Sequence, residues 1–362
     1  MTMLYFILFV ILLYLFLYRT DDTIETFMNY KQCRSIPISK RLEEIFREHG
    51  INRDNKNWDL YLPCGYTNIE NELKNLPVVD NTKKIFGISG CDQIVSKLYL
   101  WKTLYHKFGN DYINYFPKTY RFNNEGIKSL FANHKPDMKY IAKKDVQRQT
   151  GLKIIHNVNE IRNIRDDKQY LVVQELLNNP FLIDKRKINL RVYLLVTCKD
   201  NKTRAYIHSN GFIYYTPVSF DYVSRDKNAH ITTGYIDRSV YKNNPLTIDD
   251  LYKYLDKKGY NSSTMIQNLG HLFETVMAAV KIPICKNKNL SNGLSFQLFG
   301  CDVAPDNNLN LKLIEINKGP DLTAKDPRDD MVKREITYDL LEIVNVIPKQ
   351  NKTNRFIRLN LA

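Results

Sequence analysis

The sequence contains little glycine and proline, 14 and 13 of 362 residues. These amounts exclude a collagen-like chain and a chain made mainly of flexible linkers. It has no dense run of lysine and arginine and no zinc-finger or RNP-like pattern. Hydrophobic residues make up 43% and charged residues 25%, which is typical of a folded globular protein. The length corresponds to about two to three domains.

Positive charge exceeds negative charge, with a formal net charge of +14. Such an excess favours an acidic partner, which could be nucleic acid, an anionic membrane surface or an acidic protein substrate. Because the basic residues are spread along the chain and no recognition motif accompanies them, nucleic-acid binding is supported by charge alone.

The six cysteines are scattered, and none forms a C-x-x-C pair or has a histidine at zinc-binding spacing. A disulfide framework is typical of small, cysteine-dense chains. The sequence therefore predicts free thiols and a reducing compartment. The cysteines are Cys33, Cys64, Cys91, Cys198, Cys285 and Cys301.

Residues 3–18 (MLYFILFVILLYLFLY) contain no charge, and the uncharged run reaches the N-terminus. Three interpretations are a cleaved signal peptide, a buried core helix and a membrane anchor. A signal peptide would carry a basic start and a small-residue cleavage site, and neither is present. A core helix is rarely apolar all round, so we expect residues 1–19 to be an anchor. Arg19 and further basic residues follow the run, which predicts a cytosolic body.

Residues 20–82 are mostly polar and are expected to form a stalk with one helix near 40–49. Clear patterns begin at residue 83. Strands are predicted at 140–143, 152–155, 170–175, 189–197, 296–303 and 311–317, and an amphipathic helix at 265–280. Asn210-Gly211, between apolar runs, predicts a hairpin of 204–206 with 212–216. Asp329 or Asp330 is a candidate cap for a last helix that ends near residue 346. This mixture indicates an α+β or α/β body.

A predicted hairpin at 296–317 brings three oxygen-bearing side chains together. Strand alternation places Glu315 and Asn317 on one face, and a turn near residue 308 places Asp302 opposite Glu315. Two facing carboxylates repel unless a cation lies between them, and carboxylate and amide oxygens suit magnesium. The alternative is a solvated strand face that carries isolated carboxylates.

Two further groups of polar residues could bind anions. Lys187, Asn189 and Arg191 share one face of a strand and could clamp a phosphate or a carboxylate, unless this is the outer face of an edge strand. Lys143 at a strand end, with Gly151 in the following loop, could bind phosphate. This loop is not a Walker motif.

Six motifs stand in the order found in one known family. They are YIAKK at 140–144, RQTGL at 148–152, QELLNNPFLI at 174–183, KINLRVYLLV at 187–196, FQLFGCD at 296–302 and LIEINKGP at 313–320. With them, the chain resembles the tubulin-tyrosine-ligase-like family of ATP-grasp ligases over residues 83–346. The resemblance implies an α+β, ATP-grasp-like fold with mixed and antiparallel sheets. Its lobes would span 83–135, 136–186 and 187–346, followed by a tail at 347–362.

The resemblance also implies a site for ATP, magnesium and a substrate carboxylate. Lysines would contact the phosphates, and the hinge at the end of the predicted strand 170–175 would line the adenine. The implied ATP-binding residues are Lys143, Arg148, Gly151, Gln174, Glu175, Leu176, Leu177, Lys187 and Asn189; the catalytic residues are Lys187 and Arg191; the substrate residues are Arg191 and Tyr214; and the magnesium ligands are Asp302, Glu315 and Asn317.

Four positions depart from the family pattern. Asn189 replaces an aspartate, Tyr214 replaces a usual arginine, Thr233 replaces an asparagine and Gln149 replaces a glycine. Loss of an arginine removes a cation that could stabilise developing negative charge. The expected function is an ATP-dependent ligase that joins tyrosine, glutamate or glycine to an acidic protein tail such as that of tubulin. The alternative is an inactive relic that binds a nucleotide or an acidic tail.

Overall fold

The computed structural model describes residues 28–32, 38–146 and 150–361. Its described part contains an 11-stranded mixed sheet and a four-stranded antiparallel sheet. The large sheet consists of β1 (Asn29–Gln32), β2 (Asn52–Arg53), β3 (Leu60–Leu62), β4 (Lys84–Phe86), β9 (Leu182–Ile183), β10 (Arg186–Lys199), β11 (Lys202–His208), β12 (Phe212–Tyr215), β13 (Leu294–Pro305), β14 (Leu311–Asn317) and β15 (Phe356–Arg358). The small sheet consists of β5 (Thr119–Arg121), β6 (Tyr140–Lys144), β7 (Leu152–Ile155) and β8 (Tyr170–Glu175). This arrangement confirms the α+β class with mixed and antiparallel sheets.

Eight α-helices surround these sheets in the described ranges. They are α1 (Lys40–Glu48), α2 (Ile69–Lys74), α3 (Asp92–Val95), α4 (Lys97–Phe108), α5 (Asn124–Asn133), α6 (Ile248–Lys257), α7 (Ser262–Val280) and α8 (Pro327–Ile343). The apolar stripe of α7 is buried, which confirms the predicted amphipathic helix. Helix α8 begins one turn before the predicted cap, because the Asp326 side chain accepts a hydrogen bond from the Asp329 backbone N–H.

Two hydrophobic cores define the lobes differently from the predicted boundaries. The smaller core contains buried residues from Tyr120 to Val173, so β5 and α5 belong with the small sheet. The predicted boundary at 135/136 was therefore too late in the chain. The larger core includes Ile45, Leu60 and Phe356. The predicted stalk was wrong for residues 38–82, and the predicted tail contains a strand of the large sheet.

The Asn210-Gly211 dipeptide does not form the predicted hairpin turn. Strands β11 and β12 both pair with β10, with β12 along its first half and β11 along its second half. The buried ring of His208 fixes the break between them, since its Nδ1 lies 3.1 Å from the Asn210 nitrogen. A side chain at Gly211 would collide with the carbonyl oxygen of Arg191. Glycine therefore keeps the chain close to β10 instead of reversing it.

A disulfide bond joins Cys198, near the end of β10, to Cys285 in the loop after α7, with their Cα atoms 5.7 Å apart. Cys64 is also disulfide-bonded. The prediction of free thiols was wrong for these three residues; Cys198 and Cys285 meet in the fold although 87 positions separate them in sequence. Cys91 and Cys301 are free and buried.

Where the structure describes the chain, no helix combines the length and apolar character needed to cross a bilayer. The predicted anchor at residues 1–19 lies outside the described residues, as does Arg148 of the predicted phosphate loop. The anchor therefore stays a prediction from sequence.

Candidate functional site

A cleft with a volume of about 1240 Å³ is lined by both sheets. Its walls contain most of the predicted site residues, although they are far apart in sequence. Those that line it are Lys143, Gln174, Glu175, Leu176, Leu177, Lys187, Asn189, Arg191, Tyr214, Asp302, Glu315 and Asn317. Gly151 does not line the cleft; a side chain there would collide with Lys144 and Val146, so glycine serves the turn between β6 and β7.

The three predicted magnesium ligands lie together on β13 and β14. Asp302 pairs directly with Glu315 in the antiparallel register, as predicted. The Asn317 side-chain nitrogen donates to Glu315 Oε1 at 3.0 Å, which holds the amide beside the carboxylate. Two carboxylates and an amide oxygen at the wall of a cleft fit the ligand preference of magnesium.

The two carboxyl groups differ in pKa because their surroundings differ. Burial raises the pKa of Asp302 to about 6, and the neighbouring Glu315 adds to this rise against the opposing effect of Arg191. Burial also acts to raise the pKa of Glu315, but the ammonium groups of Lys97 and Lys143 hold it below its ordinary value. Glu315 therefore ionises at a lower pH than Asp302, which makes it the stronger candidate for binding a cation.

Strand β10 presents Lys187, Asn189 and Arg191 to the cleft. The strand lies between β11 and β13, so the alternative of an edge strand was wrong. Lys187 Nζ lies 3.2 Å from the carbonyl oxygen of His230, and burial lowers its pKa to about 8. Asn189 Oδ1 is buried without a hydrogen-bond partner among the described residues. A buried orphan acceptor next to a cation fits a polar ligand that supplies a donor.

Arg191 forms a two-point ion pair with Asp302. Its Nε lies 2.7 Å from Oδ1 and its Nη2 lies 3.2 Å from Oδ2. The Tyr214 ring covers the same guanidinium, with its centre 4.9 Å from Cζ. Tyr214 therefore points into the cleft beside Arg191, as the resemblance implied. In this structure, however, the Arg191 charge is matched by Asp302 and is not directed at the cleft alone.

The small sheet contributes the opposite wall. Burial lowers the pKa of Lys143 to about 8, partly opposed by the negative charge of Glu315. The Gln174 side-chain nitrogen donates to Thr119 Oγ1 at 2.9 Å, while its Oε1 is buried without a partner in the described chain. Leu176 and Leu177 add apolar surface at the hinge. This wall offers a cation, an acceptor and an apolar strip, which fits a nucleotide.

Several cleft residues were missed by the sequence reasoning. Lys97 begins α4, and Tyr235, Thr323 and Lys325 lie on loops. No strand alternation or helix periodicity marks a loop residue as facing a cleft. For Lys325, the only sequence signal was its position five residues after Pro320, the end of the last motif.

Comparison with known proteins decides the family. The model of the tubulin-tyrosine ligase family matches residues 76–354. The chain belongs to the tubulin-tyrosine ligase family. The resemblance found in the six motifs is thereby confirmed, and with it membership of the ATP-grasp superfamily. The family match extends beyond the predicted limits of 83–346 at both ends.

Relatives within this family carry several tubulin-modifying names. The chain is 23% identical over 362 residues to mouse tubulin polyglutamylase TTLL6, covering 91% of this chain and 42% of that protein. It is 24% identical to mouse tubulin monoglutamylase TTLL4, covering 73% of the chain and 24% of that protein. It is 25% identical to Drosophila tubulin glycylase 3B, covering 51% and 25%. The chain thus spans less than half the length of these relatives.

Proposed function

We propose that this protein is an ATP-dependent carboxylate–amine ligase that adds tyrosine, glutamate or glycine to an acidic protein tail such as that of tubulin. One observation carries the proposal. A single cleft collects Lys143 and Lys187 together with Asp302, Glu315 and Asn317. These are groups that bind phosphate oxygens and magnesium. The names of the polyglutamylase, monoglutamylase and glycylase relatives support the type of acceptor.

The reaction would proceed in two steps. An oxygen of the reacting carboxylate attacks the γ-phosphorus of ATP, and ADP leaves, which gives an acyl phosphate. The amine then attacks the carbonyl carbon, inorganic phosphate leaves, and one proton is released as the amide forms. The chain's residues position the reactants and neutralise their charge. Lys143 and Lys187 face the phosphates, and magnesium bound at Asp302, Glu315 and Asn317 would supply additional positive charge.

The overall charge of the chain supports an acidic acceptor. A formal charge of +14 attracts a glutamate-rich tail over distances limited by ionic screening. The same charge does not select between tyrosine, glutamate and glycine as the added residue. That choice depends on the shape and charge of the part of the cleft that binds the free amino acid.

A second candidate function is a binding module without catalysis. The Arg191–Asp302 ion pair favours it, because both partners are occupied with each other and not with a reactant or a metal. The replacements at Asn189 and Tyr214 point the same way. The presence of Asp302, Glu315 and Asn317 at one wall of the cleft favours the ligase, since a module that bound only an acidic tail would not need a magnesium site.

The deciding experiment uses the full chain with magnesium, ATP, tubulin and each of the twenty amino acids. Mass spectrometry of the acceptor measures the result. A ligase adds the mass of one amino acid residue, or of several, and releases ADP and phosphate in step with it. Binding of ATP or tubulin without a mass change for any amino acid would support the binding module instead.

A further inference from the structure

Lys325 lies in a part of the cleft that the proposed nucleotide and metal groups do not use. It belongs to the loop between β14 and α8. Its ammonium donates to the carbonyl oxygen of Gly234 at 2.7 Å and lies 4.1 Å from the centre of the Tyr235 ring. The Tyr214 ring centre is 6.0 Å away. A lysine has three N–H donors, so donors remain for a ligand in the cleft.

Nearby carboxylates have other partners. Asp321 accepts hydrogen bonds from the Tyr235 hydroxyl at 3.1 Å and from the Thr323 backbone at 2.9 Å. Asp326 pairs with Arg238, and Asp329 pairs with Lys333. Within the described ranges, Lys325 therefore forms no ion pair with a carboxylate, although it is half-buried.

The backbone at Gly234 leaves room for this lysine. A side chain at Gly234 would place its Cβ 2.8 Å from Tyr214 Cε1 and 3.1 Å from Lys325 Nζ. Glycine therefore allows the ring and the ammonium to approach the chain. The Tyr235–Asp321 hydrogen bond ties the two loops of this subsite together. These contacts hold the lysine in place beside two aromatic rings.

Two cations lie close to the Tyr214 ring, Arg191 and Lys325. Arg191 is paired with the carboxylate of Asp302, whereas Lys325 donates to a neutral carbonyl oxygen. Lys325 is thus the cation near Tyr214 in the described cleft that is best placed to receive an added negative charge. Because phosphates would be held by Lys143 and Lys187, the anion that meets Lys325 should come from the other reactants.

We propose that Lys325 binds a carboxylate group of a reactant, in a subsite that it forms with Tyr214, Gly234 and Tyr235. The carboxylate belongs to the free amino acid or to the acidic acceptor. This proposal rests on the proposed function in taking these molecules as reactants. A partly desolvated ammonium that donates to a carboxylate makes a charge-assisted hydrogen bond, which is among the stronger contacts in proteins.

Direct binding measurements on the full chain test the proposal. A fluorescent hexaglutamate peptide and free glutamate, glycine and tyrosine are titrated, with and without magnesium and a non-hydrolysable ATP analogue. Lys325→Met keeps the apolar stem and removes the charge, and Lys325→Arg keeps the charge. Lys102→Met is a matched control, since Lys102 also lies over a tyrosine ring, 5.6 Å from the centre of Tyr99, but outside the cleft.

We expect Lys325→Met to weaken binding of the peptide or of an amino acid by about tenfold or more, with the ATP analogue bound within about twofold of wild type. Lys325→Arg and Lys102→Met should bind nearly as the parent does. A loss confined to the peptide assigns the carboxylate to the acceptor, and a loss confined to the amino acid assigns it to that reactant. Unchanged affinity for both, or an equal loss in Lys102→Met, would overturn the proposal.

The same titrations separate this proposal from the proposed function. If the parent protein fails to bind the ATP analogue, the proposed ligase function is contradicted. The role of Lys325 still stands in that case if Lys325→Met weakens binding of the peptide. A Lys325→Met protein that loses the ATP analogue as strongly as the peptide would show that Lys325 serves the nucleotide, which contradicts the carboxylate subsite. Thermal unfolding of each variant confirms that the fold is intact.

Discussion

Arg191 and Asp302 form an ion pair across the neighbouring strands β10 and β13, with Arg191 Nε 2.7 Å from Asp302 Oδ1. The pair joins the residue expected to face a substrate carboxylate to a residue expected to bind magnesium. Binding of a cation by Asp302 would have to compete with the guanidinium for the same oxygens. Glu315 is not engaged in this way, and its ionised carboxylate is the better test of the metal site.

Glu315→Gln should therefore abolish magnesium-dependent nucleotide turnover. The amide keeps the size of the side chain but removes its negative charge, and we expect a loss of at least about a hundredfold. ADP release at saturating magnesium measures it. Glu125→Gln, on the exposed start of α5, is the matched control and should be unaffected. Normal turnover in Glu315→Gln would show that the predicted metal site is wrong.

Tyr214→Arg distinguishes a working ligase from a relic. In a ligase adapted to tyrosine at this position, a third cation beside Arg191 and Lys325 would repel both, and the ring that covers Arg191 would be lost. We expect about tenfold lower kcat/KM for the preferred reaction, measured by acceptor mass shift. Strong amino-acid-dependent turnover in Tyr214→Arg combined with Asn189→Asp, beside a silent parent, would instead identify the parent as a relic.

Nucleotide affinity should depend on pH through Lys187. Burial lowers its pKa to about 8, so the ammonium that attracts phosphate is present below pH 8 and is lost as the pH rises through that value. Above pH 8, the dissociation constant of the ATP analogue should increase, by up to about tenfold for each pH unit. Lys187→Arg should reduce this dependence, because arginine stays charged, and the remainder belongs to Lys143, whose pKa burial also lowers to about 8. An identical pH profile in Lys187→Arg would assign the effect to another group.

The Cys198–Cys285 bond should contribute to stability. It closes a loop with a sequence separation of 87 residues, which restricts the unfolded chain. Cys198→Ala combined with Cys285→Ala should lower the free energy of unfolding by about 2–4 kcal/mol. Denaturant unfolding without reductant gives the value, and thiol alkylation before and after reduction checks that the bond is present in the parent. Equal stability of parent and double variant would contradict the prediction.

Residues 1–19 are predicted to anchor the chain, with the body in the cytosol. The full chain should stay in the membrane pellet after alkaline carbonate extraction, and its release would refute the anchor. The orientation has an independent test, because Asn201, Asn261 and Asn351 begin N-x-S/T sequons and are all exposed. A glycan on any of them would contradict a cytosolic body. Disulfide bonds are typical of oxidising compartments, so the Cys198–Cys285 bond argues against a cytosolic body and gives weight to the glycan test.

Strands with strong local patterns were predicted well. The bounds of β7, β8 and β14 match the predicted ranges. The pairing of Asp302 with Glu315 was also predicted correctly, although the register set by the turn shifts at an irregularity between Asp302 and Val303. By contrast, β1 to β4 and β15 have two to four residues each, too few for an alternating pattern to be visible. They form because distant strands of the large sheet offer them partners.

The sequence alone determined the family, through six motifs in order, and it placed Glu315 and Asn317 on one strand face, because strand alternation is a local property of the backbone. Only the tertiary structure decided which charges meet. Arg191 lies 111 residues from Asp302 in sequence, and Lys325 lies 91 residues from Gly234. Pairs at such separations arise from the packing of sheets and loops, and electrostatic interactions depend on the distance between the groups and not on their order along the chain. The same packing placed the Lys325 ammonium beside the rings of Tyr214 and Tyr235 in the cleft.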